Sequence, residues 1–257
     1  LRYDLRNQGD LIEADILTYN AWYFDLGRLD TNLIEGTLGP SFDLGRFGLD
    51  GVRIGPYGLA GAVGLGGALY STTYGGGLRV RARLHRRLLW DSRHEIRAVN
   101  FDNSTTYPTV RDQTGVDYRN WIRLTGYLSA RTSLAAVGET RHVDARTGFD
   151  SFDEYGIGAR GKYLFYVPGN GPLADDAPWS VSLGAGLRFR DYESPDPFIA
   201  PTRSQTDDVY WIDAGLGIPL ERRFSVFVNG QLRVQDSNYA TRDYTNGIVS
   251  VGLSKRF

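Results

Sequence analysis

The stretch Ser180-Val181-Ser182-Leu183-Gly184-Ala185-Gly186-Leu187-Arg188-Phe189-Arg190 alternates without a break. Val181, Leu183, Ala185, Leu187 and Phe189 fall on one face; serine, glycine and arginine fall on the other. A period of two is that of a β-strand with one apolar face. The run is about twice the length of a usual strand in a soluble sandwich.

The same period recurs along the chain. Tyr74, Gly76, Leu78, Val80, Ala82 and Leu84 oppose Gly75, Gly77, Arg79, Arg81 and Arg83. Tyr210, Ile212, Ala214, Leu216 and Ile218 oppose Trp211, Asp213, Gly215 and Gly217. About twelve segments read this way: 11–26, 31–45, 51–66, 68–84, 87–101, 117–130, 132–145, 152–167, 177–192, 206–219, 223–236 and 241–257. A spacing of about 21 residues suits a long tilted strand plus a turn. Soluble sandwiches repeat at about 8–12 residues.

Connections alternate as well. Short links fall near Arg46–Asp50, Leu84–Arg87, Ala130–Thr132 and Pro219–Arg222, and longer ones near Asp102–Val116 and Glu193–Gln205. Outer-membrane barrels have short periplasmic turns and longer outer loops. The link Pro168–Pro178 is long yet falls on the short-turn side.

Sorted by strand end, the outward aromatics form two groups. Trp22, Phe24, Tyr74, Tyr118, Tyr155, Phe189 and Tyr210 lie toward the long-loop end. Phe42, Trp90, Tyr163, Phe165, Trp179, Phe224 and Phe257 lie toward the short-turn end. Two aromatic girdles around an aliphatic belt fit a bilayer, where rings settle at headgroup level. The expected fold is therefore all-β: a transmembrane, antiparallel, up-and-down β-barrel of about twelve strands with a polar lumen. An even count places both termini on the periplasmic side. Residues 1–10 read as a periplasmic lead-in and 11–257 as the barrel.

Composition agrees. The chain has 257 residues, 32 Gly, 5 Trp, 16 Tyr, 12 Phe and no Cys or Met. Without cysteine there is no disulfide scaffold, thiolate metal site or cysteine nucleophile. A formal charge of −1 gives no global basic field for nucleic acid. No stretch approaches the apolar length of a membrane helix. A polar average of this kind is also what transmembrane barrels show.

The inward face carries the charge. Its basic residues include Arg79, Arg81, Arg83, Arg93, Arg97, Arg123, Arg141, Arg160, Lys162, Arg188, Arg190 and Arg233. Its acids include Glu13, Asp15, Glu35, Asp43, Asp91, Glu95, Glu139 and Asp213. Two readings follow: charges that pair across strands and fill the lumen, or a pore whose basic stripe favours anions. Arg79, Arg81 and Arg83 share a strand face with no intervening acid, which points to the second. Acids on the first two strands would make the opposite wall negative.

Catalytic signals are weak, and no enzyme is expected. No HExxH, P-loop or GxSxG pattern occurs, and Gly75-Gly76-Gly77 lies inside a strand pattern rather than at a phosphate-cradling turn. Ser92 and His94 share the lipid-facing side of one strand, as in outer-membrane phospholipase A, but in reversed order and with Asn100 too far away. His142 and Asp144 lie near an outer loop, an arrangement weakly similar to outer-membrane aspartyl-type proteases. No metal site or cofactor is expected.

The C-terminus Ser250-Val251-Gly252-Leu253-Ser254-Lys255-Arg256-Phe257 resembles the assembly signal of outer-membrane barrels. Ser250, Gly252, Leu253 and Phe257 fit it; Lys255 departs from the usual hydrophobic residue. Arg188–Tyr192, Gln205–Asp208, Gln235-Asp236-Ser237-Asn238-Tyr239 and Asp243-Tyr244 resemble the barrel of surface lipoprotein assembly modifiers, which is related to barrels that follow tetratricopeptide domains. That resemblance implies an outer-membrane channel or secretion barrel of a Gram-negative bacterium. It also implies outer-membrane lipid and lipopolysaccharide as surroundings, the barrel assembly machinery during biogenesis, and a periplasmic soluble domain or secretion partner. The alternatives are a small porin for anionic solutes such as acidic oligosaccharides, and a plugged structural barrel within a larger envelope assembly.

Overall fold

A computed structural model describes the chain apart from residues 1, 6–8, 23–26, 28–29, 105–107, 168–176, 221–223 and 256–257. Twelve long strands follow one another as the alternation demands. They are β2 (Asp10–Ala21), β3 (Thr31–Asp43), β4 (Val52–Leu65), β5 (Ala68–His85), β6 (Leu88–Phe101), β7 (Gly115–Tyr127), β8 (Thr132–Ala145), β9 (Phe152–Phe165), β10 (Trp179–Pro195), β11 (Ser204–Pro219), β12 (Phe224–Ser237) and β13 (Tyr244–Lys255). A short strand β1 (Arg2–Leu5) pairs with the start of β2, so part of the expected lead-in joins the sheet. Every pairing is antiparallel and sequential, from β1 to β13. The long strands run from 12 to 18 residues, beyond the about 9–11 that a tilted strand needs to cross a bilayer.

Curvature can be read from the ion pairs. Arg79 on β5 reaches Glu13 on β2 at 2.8 Å, and Arg97 on β6 reaches Glu35 on β3 at 2.7 Å. In a flat sheet, strands three apart stand about 14 Å from each other. The sheet therefore curls toward its charged face. Farther along the axis, one cavity is bordered by residues of every strand from β3 to β11 together with Arg242, so the wall wraps around a common interior. This is an up-and-down β-barrel.

The two faces are inverted relative to a soluble protein. Leu38, Ile96, Leu134, Ile157, Leu183, Ile212, Val249 and Val251 are exposed on the outside. Fully buried side chains include Asp117 and Asp207 on the inside. Apolar outside and charged inside is the arrangement of a membrane-spanning barrel.

The two ends differ. The turn end carries the tight β5–β6 link at residues 86–87 and the β7–β8 link at 128–131. The loop end carries residues 102–114 and 196–203. One link at the loop end is short: Gly66 (φ 58°) and Gly67 (φ 82°) form the two-residue turn between β4 and β5, a hairpin geometry that favours glycine at both positions. Loops at this end interlock. Asn238 donates to the Ser204 carbonyl and accepts from the Thr206 amide, while the Tyr239 hydroxyl accepts from the Asp196 amide and donates to the Arg203 carbonyl.

Candidate functional site

Strand parity puts Arg79, Arg81 and Arg83 on one inward stripe, but they do not stand free as a stripe. Arg79 binds Glu13 and Asp15, and Arg81 also binds Glu13. Arg79 is buried, with a side chain 8% exposed. The acids of β2 are drawn across to β5 rather than forming an opposed negative wall. No acid intervenes between the three arginines along β5, but Arg79 and Arg81 are paired across the wall with acids of β2; Arg83 is exposed and has no ion pair among the described residues.

The remaining inward charges form separate clusters. Arg97 joins Glu35 and Glu95, and the Tyr57 hydroxyl donates to Glu95. Asp117 holds both Arg119 and Arg141, at 2.6 and 2.8 Å. Arg188 bridges Glu139 and Glu154, and Arg190 shares Glu154. Arg160 binds Asp213 and Arg123 binds Asp91. Pairing of this kind is what charge in a confined interior requires.

Besides Arg83, two of the expected lumen arginines have no carboxylate within ion-pair distance among the described residues: Arg93, which is exposed, and Arg233, which is half-buried. Arg233 carries its guanidinium 5.7 Å above the Tyr244 ring, and its Nε has no hydrogen-bond partner in the structure. Both line cavities. A space of about 630 Å³ is bordered by Arg93, Arg97, Arg119, Trp121, Arg123 and Arg188, among others. A second, of about 360 Å³, is bordered by Trp121, Arg123, Arg160, Arg188, Trp211 and Arg233, with Glu139 its one acid. Toward the loop end a third, of about 480 Å³, is bordered by Asp117, Arg141, Phe149, Asp150, Tyr192 and Arg242, among others. The first two leave basic groups in excess, which a small anion would meet.

Sequence reading passed over several of these residues. Arg119, Asp117, Glu154 and Asp207 share the parity of the inward residues already chosen, so parity alone could have found them. The roles of Tyr57, Trp121 and Trp211 depend on contacts across strands and carry no local signal.

The membrane-facing expectations fall at the following positions. Trp22, Tyr74, Tyr118 and Tyr210 are exposed toward the loop end. Trp90, Trp179 and Phe224 are partly exposed, and Tyr163 exposed, toward the turn end. There Tyr163 stacks on Phe165, which contacts Trp179. Phe24 and Phe257 lie outside the described residues. In the terminal strand Ser250 and Gly252 face inward, opposite Asn229 and Phe227, while Leu253 is placed by its backbone opposite Val226. A Cβ at Gly252 would collide with Cζ of Phe227.

The catalytic candidates do not assemble. Ser92 is 2% exposed, and no hydrogen bond joins it to His94 among the described residues. His94 bonds instead to Asn120 on β7 at 2.9 Å, and Asn120 donates to Thr140 on β8. His142 pairs with Asp153 on β9 rather than with Asp144. Among the described residues no three His, Asp or Glu side chains converge as a metal site.

The inverted faces, strand lengths and asymmetric ends define the chain as an outer-membrane type of β-barrel. No protein family matches its sequence, and no curated protein does. Among solved structures it is similar in shape to KdgM porin (TM-score 0.40, 9% identity, covering 96% of this chain and 99% of that one). A further structure is that porin in complex with disordered oligogalacturonate. Others are LpxR from Salmonella typhimurium (0.42, 14%, covering 87% and 88%) and a loop-deletion mutant of OmpT, an outer membrane protein of Vibrio cholerae (0.49, 12%, covering 98% and 87%). These are likenesses of shape.

Proposed function

We propose that the chain is a porin-like channel of the Gram-negative outer membrane, passing small anionic solutes through an arginine-rich lumen. The observation that carries the reading is that two lumen arginines bordering cavities, Arg93 and Arg233, have no carboxylate partner among the described residues, in a wall where most other charges are paired. Fixed uncompensated charge in a narrow aqueous path raises the local concentration of the opposite ion. The reading is a non-enzymatic, passive channel. Outer-membrane lipid and lipopolysaccharide would surround its apolar wall, and the barrel assembly machinery would insert it.

The test is the reversal potential of the refolded barrel across a potassium chloride gradient. Anion selectivity is expected, and Arg93→Gln with Arg233→Gln should reduce it. Cation selectivity, or a double variant indistinguishable from wild type, would contradict the reading. A secretion role would instead predict a barrel that stays closed until its partner or periplasmic domain is supplied.

A further inference from the structure

One aromatic ring in the lumen has a bed made for it. Trp211 on β11 faces inward beside Gly186 on β10, and Gly186 faces Gly158 on β9. The six-membered ring of Trp211 lies across both glycines. A Cβ on Gly186 would stand 2.5 Å from Cζ2, and one on Gly158 would stand 2.8 Å from the same atom. Any larger residue at either position would lift the indole off the wall. Trp211 borders the cavity of about 360 Å³ together with Gly158, and that volume lies within the about 300–1,000 Å³ of small-ligand sites.

The surroundings of that ring are chemically specific. Arg160 and Arg233 border the same cavity. Arg160 is already engaged by Asp213, whereas Arg233, its guanidinium over the Tyr244 ring, has no carboxylate partner among the described residues. A guanidinium fork suits a carboxylate. An indole held against a wall suits the flat C–H face of a pyranose, because the ring's electron-rich face attracts polarised C–H groups. A simple anion uses the arginine and ignores the indole. A neutral sugar does the reverse.

We propose that Trp211 and Arg233 form a subsite for an acidic pyranose, the sugar ring stacking on the indole and its carboxylate paired with the guanidinium. This rests on the anion-channel reading and deepens it: the cargo is a uronic-acid type of sugar rather than any anion. Trp211 is then a specificity-determining residue for the sugar ring.

The test compares three probes on the refolded barrel: sodium glucuronate, with ring and carboxylate; sodium gluconate, with carboxylate but no ring; and methyl glucoside, with ring but no charge. Block of chloride current is read in planar bilayers. Wild type should be half-blocked by glucuronate at a concentration about three- to tenfold below that of either control, the range a single aromatic contact supplies. Trp211→Leu should bring glucuronate up to the gluconate level. Arg233→Gln should weaken glucuronate block without altering the methyl glucoside response. Equal block by glucuronate and gluconate in wild type overturns the subsite even where anion selectivity holds, and that comparison needs no variant to fold. Where the barrel does not conduct, the channel reading fails. Titration calorimetry with the same probes then decides the subsite independently: tighter glucuronate binding supports it, and equal affinities overturn it.

Discussion

Arg79 shows how an inward residue is decided by partners remote in sequence. Parity along β5 placed it in the lumen, but its partner Glu13 lies 66 residues away on β2. Nothing local distinguishes Arg79, which is paired and buried, from Arg93, which is exposed and has no ion pair among the described residues. Their substitutions should therefore diverge. Arg79→Gln weakens a buried ion pair and should lower the unfolding free energy by about 3 kcal/mol, read from urea denaturation of the refolded barrel. Arg93→Gln should change stability by less than about 0.5 kcal/mol and change ion selectivity instead. Equal effects of the two on stability would remove the distinction between bracing and selecting arginines. The inward arginines were legible as a set from the period of two. Their division into paired and unpaired was not, because it depends on register across two or three strands.

At the level of the element, strand existence was legible almost throughout. Alternation marked β10 and β11 to within a few residues, and the long connections before β7 and β11 fell at the expected end. The short strand β1 was missed, since four residues carry too little period to read. Gly252 was chosen for its place in a terminal motif, and the structure supplies a packing reason: the Phe227 ring occupies the space a side chain would need. Gly252→Val should therefore weaken β12–β13 pairing and reduce the heat-resistant folded fraction on gels, and adding Phe227→Ala should restore part of it. No recovery in the double variant would show that Gly252 matters for another reason. The loop-end elements carry a pH dependence. Asp150, in the β8–β9 loop, has its pKa raised by burial first and then by Asp112 and Asp196. A carboxyl raised in the folded state contributes stability below its unfolded pKa and loses it as pH rises through the folded one. Proteolysis of the loop end should accordingly speed up as pH climbs from the normal carboxylate range, and Asp150→Asn should flatten that rise. A rate independent of pH in wild type would contradict the assignment.

For the whole molecule, the same inversion of faces that declared a barrel also set its chemistry. A chain with a formal charge of −1 gives no hint of an anion path. The proposed path rests on the barrel sorting charge radially, with most, but not all, of the lumen arginines meeting acids among the described residues. The interlocked loops around Tyr239 brace the loop end without defining a cargo. The central claim is that this lumen conducts. The most direct measurement is single-channel recording of the refolded, heat-modifiable chain in planar bilayers without added partner. Stable openings carrying mainly anions are predicted; a folded barrel that inserts and never opens would contradict the account.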